Sequence, residues 1–326
     1  MSASARAHSN IALIKYWGKR DVALNLPAVG SIAITLAELA TETRVEFDPH
    51  LAADHCQLDG TNVDATRISR FLDRIRARSG TNLHAKVISR NNFPTSAGLA
   101  SSASGFAALT LAACAAAGLE LDRRELSILA RQGSGSAARS IFGGYTEMRR
   151  GSAADGHDAY AAPLLDAAAW PLTVVVAITE NRAKSVDSGK GMISTAASSP
   201  FYADWVSAAD ADLDAMRAAI AGRDFHALGA LAEHSCLKMH ALMLSSKPAL
   251  IYWNAATITV MHTLRALRAD GVPVYFTIDA GPQVKALCPP AHSKTVTEAL
   301  AAVPGVQSVW PTGLGPAAQL LDPCCK

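Results

Sequence analysis

Apolar positions recur along this chain in two rhythms, one every second residue and one every third or fourth, and the two are intermingled. The runs "NIALIKYWG" (10–18), "SIAITLAEL" (31–39) and "TRVEFD" (43–48) read as strands, the last with Val45 and Phe47 alternating with polar neighbours. In "DATRISRFLDRIRARSG" (64–80), Ile68, Phe71, Leu72 and Ile75 fall at helical spacing, and Gly80 suits the C-terminal cap. A strand-like run at 83–93 leads into the small-residue stretch "PTSAGLASSASGFAAL" (94–109) and a helix reaching to about residue 117. Residues 122–144 predict two short helices parted at Gly133–Gly135, and "WPLTVVVAIT" (170–179) predicts a buried strand. Helical patterns follow around 203–220, 224–244 and 247–271. The strand "VPVYFTID" (272–279), broken by "AGP", and a closing helix, turn and strand over 295–311 come after them. Strands and helices mix without a strict βαβ alternation, which predicts an α+β fold. The loop before residue 170 marks the change between two domains, 1–170 and 171–326.

Composition narrows the class. Half of the 326 residues are apolar, 18% are charged and the net charge is +2, so the chain folds and has no basic block for nucleic acid. The six cysteines, at 56, 114, 236, 288, 324 and 325, lack metal-ligand spacing and fit reduced thiols in a cytoplasmic protein. The N-terminal "MSASARAHSN" has no apolar signal core. The most apolar run (103–121) is interrupted by Ser104, Thr110 and Gly118, which predicts a buried helix and no membrane span.

Four stretches carry candidate chemistry. In 94–109, Gly98 precedes a helix whose start is surrounded by the hydroxyls of Ser96, Ser101, Ser102 and Ser104. Small residues there allow tight packing, and a helix N-terminus with free N–H groups also suits a phosphate; composition leaves both open. It is not a P-loop, since no Gly-Lys-Ser/Thr follows. In "NIALIKYWGKRD", Lys15, Lys19 and Arg20 surround Tyr16 and Trp17, as a solvated strand end or as donors to a polyanion. In "RQGSGSAARSIFGG", Ser134 and Ser136 flank Gly135, and Arg139 lies one turn beyond Ser136 with a planar fork for a carboxylate or phosphate. Finally, Asp279 ends an apolar strand before Ala280, Gly281 and Pro282, either as a helix N-cap or as a carboxylate held at a cleft.

Taken together, "PTSAGLASSA", "SNIALIKYWGKRD", "LNLP" (24–27) and "YFTIDAGP" (275–282) resemble the GHMP kinase superfamily and, within it, the diphosphomevalonate decarboxylases, in order from residue 9 to about 285. The resemblance implies a GHMP kinase-like fold: a ribosomal protein S5 domain 2-like N-terminal domain and a ferredoxin-like C-terminal domain. It implies ATP as cosubstrate with Mg²⁺, mevalonate 5-diphosphate as substrate, isopentenyl diphosphate as product and a homodimer. Carried over by position, Asp279, Arg139 and Asn10 are catalytic, and Tyr16, Lys19, Ser134, Ser136, Arg139 and Ser188 bind substrate. Ser96, Gly98, Leu99, Ser101 and Ser102 bind the nucleotide, and no metal ligand is assigned. Two departures touch the diphosphate end: Gly189 stands where the pattern Ser-Arg-x-Gly-Met has arginine, with Lys190 next to it, and Ala28–Val29–Gly30 replaces a polar run. A phosphomevalonate decarboxylase or a mevalonate 3-kinase of the same fold is the alternative, and a non-catalytic binder is the remote one.

Overall fold

In the computed structural model, which describes residues 1–93, 101–182 and 186–322, the chain opens on a long strand, β1 (Ser2–Ile14). It leaves this strand through Gly18, whose φ of +106° favours a residue without a side chain, into the small hairpin β2 (Lys19–Asp21) and β3 (Leu26–Pro27). The two apolar runs at 31–39 and 43–48 form one strand, β4 (Ser31–Asp48), antiparallel to β1. The residues between them, 40–42, pair regularly with 6–8 of β1, and a bulge lies inside the first run. His8 pairs with Ala40 and Asn10 with Thr35, so the four residues 36–39 stand opposite Ser9 alone. The bulge is used elsewhere: Ala37 N–H donates to the Gly313 carbonyl at 3.0 Å, and Leu36 bridges to Leu314.

Strands β5 (His55–Leu58) and β6 (Thr61–Asn62), helix α1 (Thr66–Ser79) and strand β7 (His84–Asn91) follow. Phe71, Leu72 and Ile75 form the buried side of α1, and Gly80, at φ 73°, closes it by donating to the Arg76 carbonyl, as the spacing predicts. Helix α2 (Ser101–Ala116) is buried on almost every side. Its alanines let it lie directly on β1 and β4. The Ser104 hydroxyl, buried in that interface, sits 2.7 Å from Thr41 Oγ1 and 3.3 Å from Ser9 Oγ. Two short helices come next, α3 (Arg123–Gly133), opened by a capping box between Asp122 and Glu125, and α4 (Ala137–Ser140). Strands β8 (Tyr145–Met148) and β9 (Ala161–Leu165) add to the first half of β4.

A second sheet begins with β10 (Thr173–Ile178). Helices α5 (Ser188–Ser198), α6 (Tyr202–Gly222), α7 (Phe225–Leu244) and α8 (Ala255–Ala269) precede its next strands. The last of these starts later than the pattern from 247 predicts, at an Asn254 cap bonded to Thr257. Strand β11 (Tyr275–Ile278) then turns back into β12 (Val284–Cys288), with Tyr275 opposite Leu287 and Ile278 opposite Val284. No helix follows Asp279, so its carboxylate caps nothing, and the N-cap reading of this segment is corrected. Helix α9 (Ser293–Ala301) and strand β13 (Ser308–Thr312) complete the antiparallel order β11-β12-β10-β13. The chain then returns to the first sheet, where β14 (Gln319–Leu321) pairs with β1 to give β14-β1-β4-β7-β5-β6. One apolar cluster joins the sheets, with Ile11, Leu13, Ile32 and Ile34 packed with Val174, Val176 and residues of α6. The end of β1 and the end of β11 are therefore held side by side.

Candidate active site

Where those strand ends meet, a cleft of about 850 Å³ opens. It is bounded by residues after β1, the face of α1, the first turn of α2, the α3–α4 turn, the start of α5 and the end of β11. Asp279 stands on its floor because Phe276 and Ile278 anchor β11 in the core. Its Oδ1 accepts from Lys15 Nζ at 2.7 Å, and Lys285 Nζ lies 3.5 Å from Oδ2. About a quarter of the Asp279 side chain faces the cleft, whereas both lysines are buried. Burial opposes its ionisation, but Lys15 and Lys285, with Arg139 adding to them, outweigh it and hold the carboxyl at about 2. Lys15, which the sequence leaves open as a solvated cation, is a buried partner of the aspartate.

Arg139 is buried at the same cleft. Its Nε donates to Asn10 Oδ1 at 3.1 Å and its Nη1 to Ser31 Oγ. These bonds use two of its five N–H donors. Asn10 in turn donates from Nδ2 to the Ser136 carbonyl at 3.0 Å and to Ser140 Oγ at 2.8 Å. It thus ties β1 to α4 and fixes the guanidinium. Burial lowers Arg139 to about 10, with Asp279 pulling the other way, so it stays charged at neutral pH.

The hydroxyls gather beside it. Ser134 Oγ donates to Ser102 Oγ at 3.4 Å and lies 3.3 Å from Ser136 Oγ, linking the start of α2 to the α3–α4 turn. The Tyr16 ring lies against Gly135, where a Cβ would come within 2.9 Å of it, and its buried hydroxyl has no protein partner among the described residues. Ser101, Ser102 and Ser188 line the cleft, the last at the start of α5. Ser96, Gly98 and Leu99 lie outside the described residues.

At the far end the cleft is cationic. Lys19 lines it, its pKa lowered by burial and by Arg67 and raised by Asp187. Arg67 and Arg70 reach the lining from α1. The Arg67 guanidinium is pre-placed, 4.6 Å over the Phe106 ring and donating to the Gly133 carbonyl at 2.9 Å. Sequence reasoning missed both arginines, having used α1 only for its apolar side. The signal was there in Arg67, Arg70, Arg74 and Arg78, which recur at helical spacing along a second face. At position 189 the glycine N–H is bonded to Asp187 Oδ1 at 2.7 Å, and a Cβ would point within 3.9 Å of Lys19 Nζ. Lys190 is exposed and outside the lining, so it does not take the arginine's place. Ala28, Val29 and Gly30 are buried away from the lining, with Val29 packed on Trp17 and Met192, which corrects their expected place at the diphosphate end. Among the described residues no three His, Cys, Asp or Glu side chains are grouped to hold a metal, and no helix is long and apolar enough to cross a membrane.

The comparisons agree with this geometry. A family profile described as diphosphomevalonate decarboxylase-like N-terminal domain matches residues 7–161, and one described as mevalonate 5-diphosphate decarboxylase C-terminal domain matches residues 174–313. Diphosphomevalonate decarboxylase of Candida albicans is 36% identical over 298 residues, covering 86% of this chain and 82% of its own. Phosphomevalonate decarboxylase of Haloferax volcanii is 34% identical over 326 residues, covering 99% and 98%. A solved structure described as MDDEF in complex with MVAPP, AMPPCP and magnesium superposes with a TM-score of 0.92 at 38% identity, over 98% of this chain and 99% of that one. The α+β architecture described above is accordingly GHMP kinase-like, and the chain belongs to the diphosphomevalonate decarboxylase family.

Proposed function

We propose that the protein is an ATP-dependent decarboxylase that converts mevalonate 5-diphosphate into isopentenyl diphosphate, releasing ADP, phosphate and CO₂. The observation that carries this reading is an ionised carboxylate, Asp279, and a buried guanidinium, Arg139, facing one cleft. A kinase that spares its substrate's carboxylate needs the first and has no use for the second.

A tertiary hydroxide is a poor leaving group, so the 3-hydroxyl is phosphorylated first. Phosphoryl transfer is mostly positioning and charge neutralisation. Asp279 accepts a hydrogen bond from that hydroxyl and aims its oxygen at the nucleotide; held at about 2, it orients better than it deprotonates. Arg139, steadied by Asn10 and Ser31, grips the substrate carboxylate. When the phosphate leaves C3, the electrons of the breaking carboxylate bond form the alkene, and CO₂ departs.

Ser101 and Ser102 at the first turn of α2 are assigned to the nucleotide phosphates and their Mg²⁺. A hard cation carried mainly by phosphates suits hydroxyl donors in a cleft that lacks a three-residue metal group among the described residues. The metal supplies charge neutralisation on the phosphates. At the other end, Lys19, Arg67, Arg70, Tyr16, Ser134, Ser136 and Ser188 take the diphosphate, with the α1 arginines supplying the charge that position 189 lacks.

A monophosphate substrate is the second reading, favoured by Gly189 in place of arginine and by the likeness to the Haloferax volcanii relative. Both are tested by supplying ATP, Mg²⁺ and mevalonate with zero, one or two 5-phosphates and measuring ADP and CO₂ separately. CO₂ from the diphosphate supports the first reading, and CO₂ from the monophosphate alone supports the second. ADP without CO₂ would overturn both. A cytoplasmic location and a homodimeric state belong to the same proposal. The buried free thiols of Cys56, Cys114, Cys236 and Cys288 suit a reducing compartment, and light scattering tests the dimer.

A further inference from the structure

The alanines that let α2 lie directly on β1 and β4 give that contact little shape of its own. Surfaces built of small side chains accept more than one register, and cores lose uniqueness before they lose stability. Three hydroxyls interrupt the contact: Ser9 on β1, Thr41 on β4 and Ser104 on α2, each fully buried. Ser104 Oγ lies 3.3 Å from Ser9 Oγ and 2.7 Å from Thr41 Oγ1.

A hydroxyl has one proton to give, and that fixes the direction of the bonds. Thr41 gives its proton to Asn91 Oδ1 on β7 at 2.6 Å, so toward Ser104 it accepts. Ser104 therefore donates to Thr41, a nearer acceptor than the Ser101 carbonyl at 3.4 Å, and accepts from Ser9. One directed chain results, from Ser9 to Ser104 to Thr41 to Asn91, crossing from β1 through α2 to β4 and β7. Each hydroxyl in it donates, and buried polar groups that are satisfied in this way specify a single packing. Apolar side chains of the same shape in all three places would cost the fold little, so the effect of the chain is on register.

The register matters here because both ends of the contact belong to the cleft. Ser104 lies one turn beyond Ser101 and two residues beyond Ser102, both of which line the cleft, while Ser104 itself does not. Ser9 precedes Asn10, whose side chain holds Arg139. We propose that Ser104 is a positioning residue for the phosphoryl donor: its hydroxyl registers the first turn of α2 on β1 and β4, so that nucleotide phosphates bound there stay in line with the acceptor hydroxyl beside Asp279. This rests on the assignment of the nucleotide to Ser101 and Ser102.

The test follows ADP release. Ser104→Ala is expected to lower kcat/KM for ATP about 10- to 100-fold, the scale on which a slight misplacement acts, with KM for the phosphorylated substrate within about threefold. This variant leaves Ser9 without its acceptor, so some stability goes with it. Ser9→Ala/Ser104→Ala removes both partners and should regain the parental urea midpoint while kcat/KM for ATP stays low. Thr41→Val cuts the chain from the strand side and should give the same kinetic pattern; it decides the matter if Ser104→Ala is insoluble. Parental kcat/KM for ATP in these variants would overturn the proposal. So would recovery of the rate together with stability in the double variant, or an equal rise in KM for the phosphorylated substrate. Ser102→Ala separates the proposal from the assignment beneath it. A parental kcat/KM for ATP in Ser102→Ala would overturn the assignment and the proposal with it, whereas a lowered value there and a parental one in Ser104→Ala would overturn the proposal alone.

Discussion

Asp279 and Arg139 are 140 positions apart in sequence, yet each is set by a few neighbours whose chemistry is simple. The aspartate is an ionised acceptor because two lysines outweigh its burial, and the arginine is rigid because Asn10 and Ser31 occupy two of its donors. Asp279→Asn is accordingly expected to abolish CO₂ release while leaving nucleotide binding and the circular dichroism spectrum in place. Asn10→Ala should lower kcat by about 10- to 100-fold with a smaller change in KM, because Arg139 loses its alignment more than its charge. Arg67→Ala and Arg70→Ala together should raise KM for the diphosphate substrate more than for its monophosphate counterpart. Equal effects on the two, measured by CO₂ release, would remove them from the diphosphate end. At this scale the sequence was informative wherever chemistry is packed into a short motif, as at Asn10, Tyr16, Ser134, Arg139 and Asp279. It left the role of Lys15 open and was silent on Lys285, Arg67 and Arg70. Their meaning depends on which side chain arrives opposite them from a distant strand or helix, and no local pattern records that.

Elements show the same division. Helix α1 and its Gly80 cap, and the pair α3 and α4, follow directly from spacing and cap chemistry, both of which are local. The errors fall where tertiary pairing overrules local signals. β4 reads as two strands because Thr41 and Glu42 part its apolar runs, yet they pair with Ala7 and Arg6 of β1, and the bulge inside the first run meets residues 312–315. Asp279–Pro282 has the composition of a helix start, but pairing of β12 on β11 makes it a hairpin turn. The α3–α4 turn is the element on which the site is most exposed to small changes. Gly135→Ala would place a methyl group within 2.9–3.1 Å of the Tyr16 ring, tighter than normal packing. Relieving that contact is expected to cost about 1–3 kcal/mol of stability and to displace the tyrosine. A lower Tm together with a raised KM for the phosphorylated substrate would be the signature.

At the scale of the whole molecule, the cleft depends on both sheets, and so does the response to acid. His240 on α7 is buried beside the end of β11, where burial first and then Lys15 lower its pKa to about 3 from an ordinary value of 6.5. The unfolded chain therefore binds a proton there that the folded chain refuses. Stability from this group is complete above about pH 6.5 and is lost as pH falls toward about 3. Asp279 adds to the loss only below about pH 4, as the carboxyl approaches its folded value of about 2. Urea unfolding at pH 8 and at pH 5 should differ by an amount on the order of a few kcal/mol, since a tenfold difference in proton affinity between the folded and unfolded chains is worth about 1.4 kcal/mol. In His240→Gln the difference should shrink.

The return of β14 to β1 has a consequence for how the protein can be made. Strand β1 is translated early, but its outer neighbour, and the 312–315 segment that fastens the β4 bulge, follow only after the entire second sheet. Until β14 has been made, the edge of β1 lacks that strand. A polypeptide ended at residue 170 keeps that edge bare permanently and is open to edge-to-edge pairing with its own copies. Two half-genes split at residue 170 should therefore yield active protein only when expressed together.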